Sequence, residues 1–234
     1  MYPNRAKRVE AFSKRSLEWL ENAPLTNIKE ASQAARALCM WGDETNGSVK
    51  WLLHNRKIDH WKGNNQVRNT ARACSALFNC GFLCSNSAKW LASMQLDNGS
   101  WNNDVYDTCY SLISLGQMGN KNRVGVKWLL DTFSENWKHP GTIALINSAM
   151  IHQYSEGLAD TISRNSSWLL AQCTDGNWKH PATSCLVVQS LILDGRSDQV
   201  EESVDWLLDG LEEEEDTGWK VSVVALVLIT LKML

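Results

Sequence analysis

The chain alternates between two kinds of helical segment. One kind carries Trp-Leu-Leu near its C-terminal half, as in "SVKWLLHNRK" and "SVDWLLDG". The other is apolar almost all round, as in "PATSCLVVQSLILDG" and "VSVVALVLITLKML", the pattern of a helix buried on every side. Between them lies a short turn with glycine or asparagine ahead of a tryptophan, as in "DNGSW" and "DGNW". Nothing in the sequence argues for a sheet. The pattern predicts pairs of helices joined by tight turns.

The pairs recur. Trp19, Trp51, Trp90, Trp128, Trp168 and Trp206 are each followed by leucine, at intervals of 32, 39, 38, 40 and 38 residues. A second series, Trp61, Trp101, Trp137, Trp178 and Trp219, trails the first, with Ile28 in its place in the first unit. A third column holds small hydroxyl residues: Ser32, Thr70, Thr108, Thr142, Thr183 and Ser222. The chain therefore reads as six repeats of about 38 residues, one domain over residues 1–234. The string "NWKHP" occurs at Asn136–Pro140 and again at Asn177–Pro181. Proline suits the first turn of a helix, where its missing N–H costs nothing, so the string predicts a helix entry.

Twelve helices of this kind can stack openly or close on themselves. An open stack needs polar terminal caps, yet the final segment "VSVVALVLITLKML" is as apolar as any interior one. The expected fold is all-α: a closed (α/α)6 toroid of six hairpins around an apolar central cavity. Its inner helices should begin near Lys29, Lys62, Asn102, Lys138, Lys179 and Lys220.

Composition narrows the function. Twenty-three basic residues against 26 acidic ones leave no polybasic face for nucleic acid. The longest apolar run has 14 residues, too short to span a bilayer, and the charged N-terminal stretch lacks a signal-peptide core. Seven cysteines without framework spacing read as reduced thiols in a cytoplasmic protein. Twelve tryptophans against four tyrosines and four phenylalanines are accounted for by the two tryptophan columns. No oligomeric state is specified.

"QLDNGSW" (Gln95–Trp101) and "QCTDGNW" (Gln172–Trp178) match QxxxGxW, and the chain thereby resembles the squalene and oxidosqualene cyclases. Protein prenyltransferase β-subunits share their α/α toroid. The resemblance implies a ring like one catalytic domain of a terpene cyclase. In that motif tryptophan packs on a helix terminus, glycine permits the turn and glutamine bonds between repeats.

The chemistry is expected where inner helices present their N-termini. "DVYDTCYSLISL" (Asp104–Leu115) places Asp104, Asp107, Thr108 and Ser111 on one helical stripe. The string resembles the DxDDT acid motif of class II terpene cyclases, with Tyr106 where that family keeps its proton-donating aspartate. By this resemblance Asp107 is the acid, Asp104 and Tyr106 tune it, and His139 and His180 carry protons or bind. Capping of the helix by Asp104, with Asp107 in its first turn, is the structural alternative. The same string resembles the prenyltransferase zinc region. No cofactor is favoured, but Asp107, Cys109 and His180 are the ligands if zinc is present. Lys62, Lys138, Lys179 and Lys220 repeat just after the second tryptophan column, as Lys29 does after Ile28. They form an anion-attracting rim or simply solubilise the turns. Asn69, Thr108 and Ser111 complete the candidate substrate contacts. "EEEED" (Glu212–Asp216) reads as a solvated turn.

The expected function is acid–base cyclisation or rearrangement of an isoprenoid or similar hydrophobic molecule in the central cavity. A non-catalytic toroid that binds a small molecule or a protein is the alternative. A zinc-dependent prenyltransferase-like protein is the third.

Overall fold

The computed structural model describes residues 5–133, 137–154, 157–213 and 218–234. Among these residues there are twelve α-helices and no strand. They are α1 (Arg5–Asn22), α2 (Ile28–Met40), α3 (Gly47–Asn55), α4 (Gln66–Asn79), α5 (Ser85–Ser93), α6 (Val105–Gln117), α7 (Arg123–Asp131), α8 (Pro140–His152), α9 (Ala159–Ala171), α10 (Pro181–Leu193), α11 (Glu201–Glu213) and α12 (Val221–Met233). The even-numbered helices begin at most four residues (66 minus 62) from the expected starts.

The two kinds of sequence segment take two kinds of place. Nine of the 13 residues of α12 are buried, against three of nine in α3. The even-numbered helices are therefore interior and the odd-numbered ones lie against them. In the interior α2 packs on α4, α4 on α6, α6 on α8, α8 on α10, α10 on α12, and α12 on α2. Outside, α1 packs on α11, where Arg5 pairs with Asp205 and Glu201, and Arg8 with Asp209 and Glu212. Neighbouring interior helices run parallel. Near their N-termini Arg68 of α4 meets Asp104 and Asp107, at the start of α6, and Tyr106 meets Thr142 of α8. At the opposite ends the Trp41 indole donates to the Leu228 carbonyl, 3.0 Å away, joining α2 to α12.

The tryptophan columns have a direct physical meaning. Trp61, Trp101 and Trp178 are buried, and their indole N–H groups donate to the carbonyls of Leu52, Leu91 and Leu169 at 2.7–2.8 Å. Each of those leucines directly follows a tryptophan of the first series. The second tryptophan thus bonds a carbonyl in the last turn of the outer helix, where the regular i→i+4 partner is missing. Its own backbone N–H is satisfied by the third column, by Thr70 for Trp61 and Thr108 for Trp101. For Trp178 the acceptor is Ser184, one residue beyond the Thr183 of the column. One set of bonds ties outer helix, turn and inner helix together.

The first QxxxGxW turn, Gln95–Trp101, does the same between repeats. Gln95 and Asn122, the N-cap of α7, exchange hydrogen bonds at 2.7 and 3.0 Å. Gly99 has φ +94°, and a Cβ there would lie 2.6 Å from the Val124 carbonyl, so no other residue fits this approach. In "NWKHP", His139 and His180 are the N-cap residues of α8 and α10, and Pro140 and Pro181 open those helices. Asn136 lies outside the described residues, as do Glu214–Asp216 of the acidic run. Glu212 of that run is not in a free turn: it ends α11 and binds Arg8.

The cysteine reading is corrected in one respect. Cys39 and Cys80 form a disulfide between the C-terminal ends of α2 and α4, their Cα atoms 5.4 Å apart. Helix packing brings together two residues 41 positions apart, a proximity no local spacing reveals. The thiol count therefore no longer speaks for a reducing compartment. No described helix is long and apolar enough to cross a membrane.

Candidate functional site

At the N-terminal ends of the interior helices, local chemistry accounts for each acidic residue. Asp104 is the N-cap of α6 and accepts from the Asp107 backbone N–H at 2.8 Å. It also accepts from Arg68 Nη2 at 2.7 Å. Asp107 is 4 % exposed, and its Oδ1 accepts from Arg68 Nε at 2.7 Å while its Oδ2 accepts from Asn102 Nδ2 at 2.8 Å. The Arg68 guanidinium lies 5.2 Å from the Tyr106 ring centre, and the Tyr106 hydroxyl sits 3.0 Å from Thr142 Oγ1. These contacts link α4, α6 and α8 in series. One oxygen of Asp107 belongs to that link and the other to the turn that precedes α6.

The other residues chosen from the sequence are dispersed. His139 is exposed and its Nδ1 accepts from the Gly141 N–H at 3.2 Å, so it caps its own helix. His180 is exposed and makes no side-chain cap bond. Lys62, Lys138, Lys179 and Lys220 are exposed. Thr108 is taken up by Trp101, and Ser111 is buried with its hydroxyl unpaired. Asn69 is half-buried beside Gly63.

The zinc set does not assemble. Among the described residues no three metal-ligating side chains converge. Residues two apart on a helix point about 200° apart, so while Asp107 faces Arg68, Cys109 is buried in the hydrophobic core. Burial, with the Asp104 charge second, pushes the Cys109 thiol up, away from the thiolate a metal needs.

The hollow shared by the interior helices lies elsewhere. A pocket of about 110 Å³ is lined by residues from all six of them, at their middles and toward their C-terminal ends. None of the candidate catalytic, substrate-binding or metal residues lines it, although Ser32 of the hydroxyl column does. Its polar lining includes Arg36 of α2, Arg72 of α4, Gln117 of α6, His152 of α8 and Gln189 of α10, and among the described residues it contains no aspartate or glutamate. Arg72 stacks on the Tyr110 ring at 4.3 Å, and Gln189 donates to the Leu226 carbonyl and to Thr230 of α12. Burial lowers the Arg36 pKa to about 10. Burial also lowers the His152 pKa to about 4, helped by the charges of Arg36 and Lys121. Larger hollows of about 520 and 420 Å³ lie outside, against the odd-numbered helices, and of the candidates only Lys138 lines one of them.

Arg36 and Arg72 belong to no recognisable motif and lie away from the helix N-termini. A signal was present: they are the charged residues in the middle of otherwise weakly charged interior segments, "SQAARALCM" and "RNTARACSAL". No protein-family model matches the chain, and no curated protein matches it.

Proposed function

We propose that the six helix pairs close into an (α/α)6 toroid of the kind the terpene cyclases resemble, and that the chain is a binding module for a small molecule held between the interior helices. Support for closure comes from α12 lying on α2 and from the ion pairs of α1 with α11. The observation that carries the binding reading is the pocket. All six interior helices line it, it holds polar side chains but, among the described residues, no acid, and at about 110 Å³ it is well below the roughly 300 Å³ at which pockets for drug-sized ligands begin. An isoprenoid chain exceeds that volume.

Acid-catalysed cyclisation draws less support. Asp104, Asp107 and Tyr106 hold α4, α6 and α8 together and do not line the pocket. A general acid must lie within hydrogen-bond reach of the group it protonates. The two readings separate on incubation of the purified protein with isoprenoid diphosphates and with squalene. The binding reading expects no product. It also expects native mass spectrometry to find a small bound molecule that is lost in Leu145→Trp, which fills the pocket. Product formed by the native chain and lost in Asp107→Asn would establish the cyclase reading instead.

A further inference from the structure

The pocket has a chemical bias that goes beyond its size. Along α2, three polar atoms are buried without a hydrogen-bond partner: Ser32 Oγ, Gln33 Oε1 and Arg36 Nε. All three residues line the pocket. Among the described residues the hydrogen bond of the Arg36 side chain goes to Met233 Sδ, 4.0 Å from Nη2. On the neighbouring α4 the Arg72 guanidinium lies 4.3 Å from the Tyr110 ring centre, a contact that holds it without neutralising it.

Among the described residues no carboxylate pairs with Arg36 or Arg72, whereas Arg5, Arg8, Arg68 and Arg196 each have one. Helix ends do not supply the missing charge. Arg36 lies four residues before Met40, and Arg72 seven before Asn79, the last residues of α2 and α4, and the dipole effect fades within the last turn. Nearby charges are of the same sign: Lys121 donates to the His152 carbonyl at 2.8 Å, and Lys232 lies over Trp41. A guanidinium taken from water without a counter-charge is strongly disfavoured. Arg36 Nε is in that position, and with the half-buried Arg72 in the same lining the pocket calls for an anion.

We infer that this pocket binds a small oxyanion, of phosphate or short dicarboxylate size, clamped between the Arg36 and Arg72 guanidiniums. Guanidinium forks match such groups with paired N–H donors. Gln117 adds a donor, since its Oε1 already accepts from Ser75 and its amide N–H groups remain available. The inference rests on the binding reading above and specifies its ligand.

The test is thermal unfolding of the full chain in inorganic phosphate, and separately in malonate, against sodium chloride of equal ionic strength. At about 10 mM, one of the two anions should raise Tm by roughly 3 °C or more, by linkage. Arg36→Met, which keeps the volume and removes the charge, should lose that shift, and so should Arg72→Gln. Lys179→Gln, at the exposed N-terminal end, should keep it. A shift retained in both arginine variants would place the anion elsewhere and overturn the assignment. No shift with either anion would overturn the oxyanion itself. If native mass spectrometry still found a bound molecule that Leu145→Trp loses, the binding reading would stand without it.

Discussion

The two ends of the interior helices handle charge in opposite ways. At the N-terminal end Arg68 is bound by two carboxylates, and Asp107 uses both oxygens on Arg68 and Asn102. At the pocket, Arg36 reaches Met233 of α12 and Arg72 reaches Tyr110 of α6, and among the described residues the lining holds no acid. In the first arrangement the charge of the arginine is balanced internally by two carboxylates. The second leaves donors unmatched, which is the condition for recognition. Acidic motifs draw the eye in a sequence, but an interaction that is already complete has a structural job.

That contrast can be broken most forcefully at the tryptophans that hold the N-terminal end in place. Trp101→Ala removes a fully buried ring and its bond to Leu91, just ahead of the α6 entry. A loss of about 3–5 kcal/mol in urea unfolding is expected. A loss below about 1 kcal/mol would mean the column does not anchor the hairpins.

The pocket end should instead reveal itself through pH. The His152 pKa is about 4 in the folded chain, against about 6.5 when unfolded. As pH falls below about 6.5 the unfolded chain takes up the proton first, so this contribution is fully present above that value. It declines through the window and is lost as pH passes about 4, up to about 3 kcal/mol in all. His152→Gln should flatten the stability profile between those values, and an unchanged profile would show that the imidazole is not shielded by burial and by Arg36 and Lys121.

Single charge removals sharpen the comparison further. Asp107→Asn leaves Arg68 with a weaker partner and should cost about 1.5–3 kcal/mol by denaturant unfolding. Arg36→Met, in buffer free of multivalent anions, should cost nothing or stabilise, because it deletes a buried charge that has no partner. Equal losses from both would erase the distinction between the ends. The smallest effect is expected from His139→Gln combined with His180→Gln. Both side chains are exposed, and only His139 accepts a bond from its helix, so a change within about 0.5 kcal/mol is expected in thermal unfolding.

Much of the architecture was legible before any coordinates. The columns Trp51/Trp61 and Trp90/Trp101 predicted the hairpins, and Pro140 and Pro181 predicted two helix entries that the structure has. Even the hydroxyl column had a purpose that the pairs Trp61–Thr70 and Trp101–Thr108 explain. The site was less legible. The stripe of Asp104 and Asp107 was visible, but its partner Arg68 sits one repeat earlier, 36 and 39 residues away. Without that partner the carboxylates look free.

The sequence by itself determined what is local: helix type, helix limits, turn geometry and the six-fold period. These follow from side-chain burial pattern, proline and glycine backbone limits, and short-range capping. Tertiary structure alone decided which residues meet across helices. It joined Cys39 to Cys80, gave Asp107 its arginine and left Arg36 without an acid. The reason is physical: the value of a charge or a thiol depends on partners and solvent within a few ångströms. Packing of distant segments sets those distances, and the order of residues along the chain does not state them.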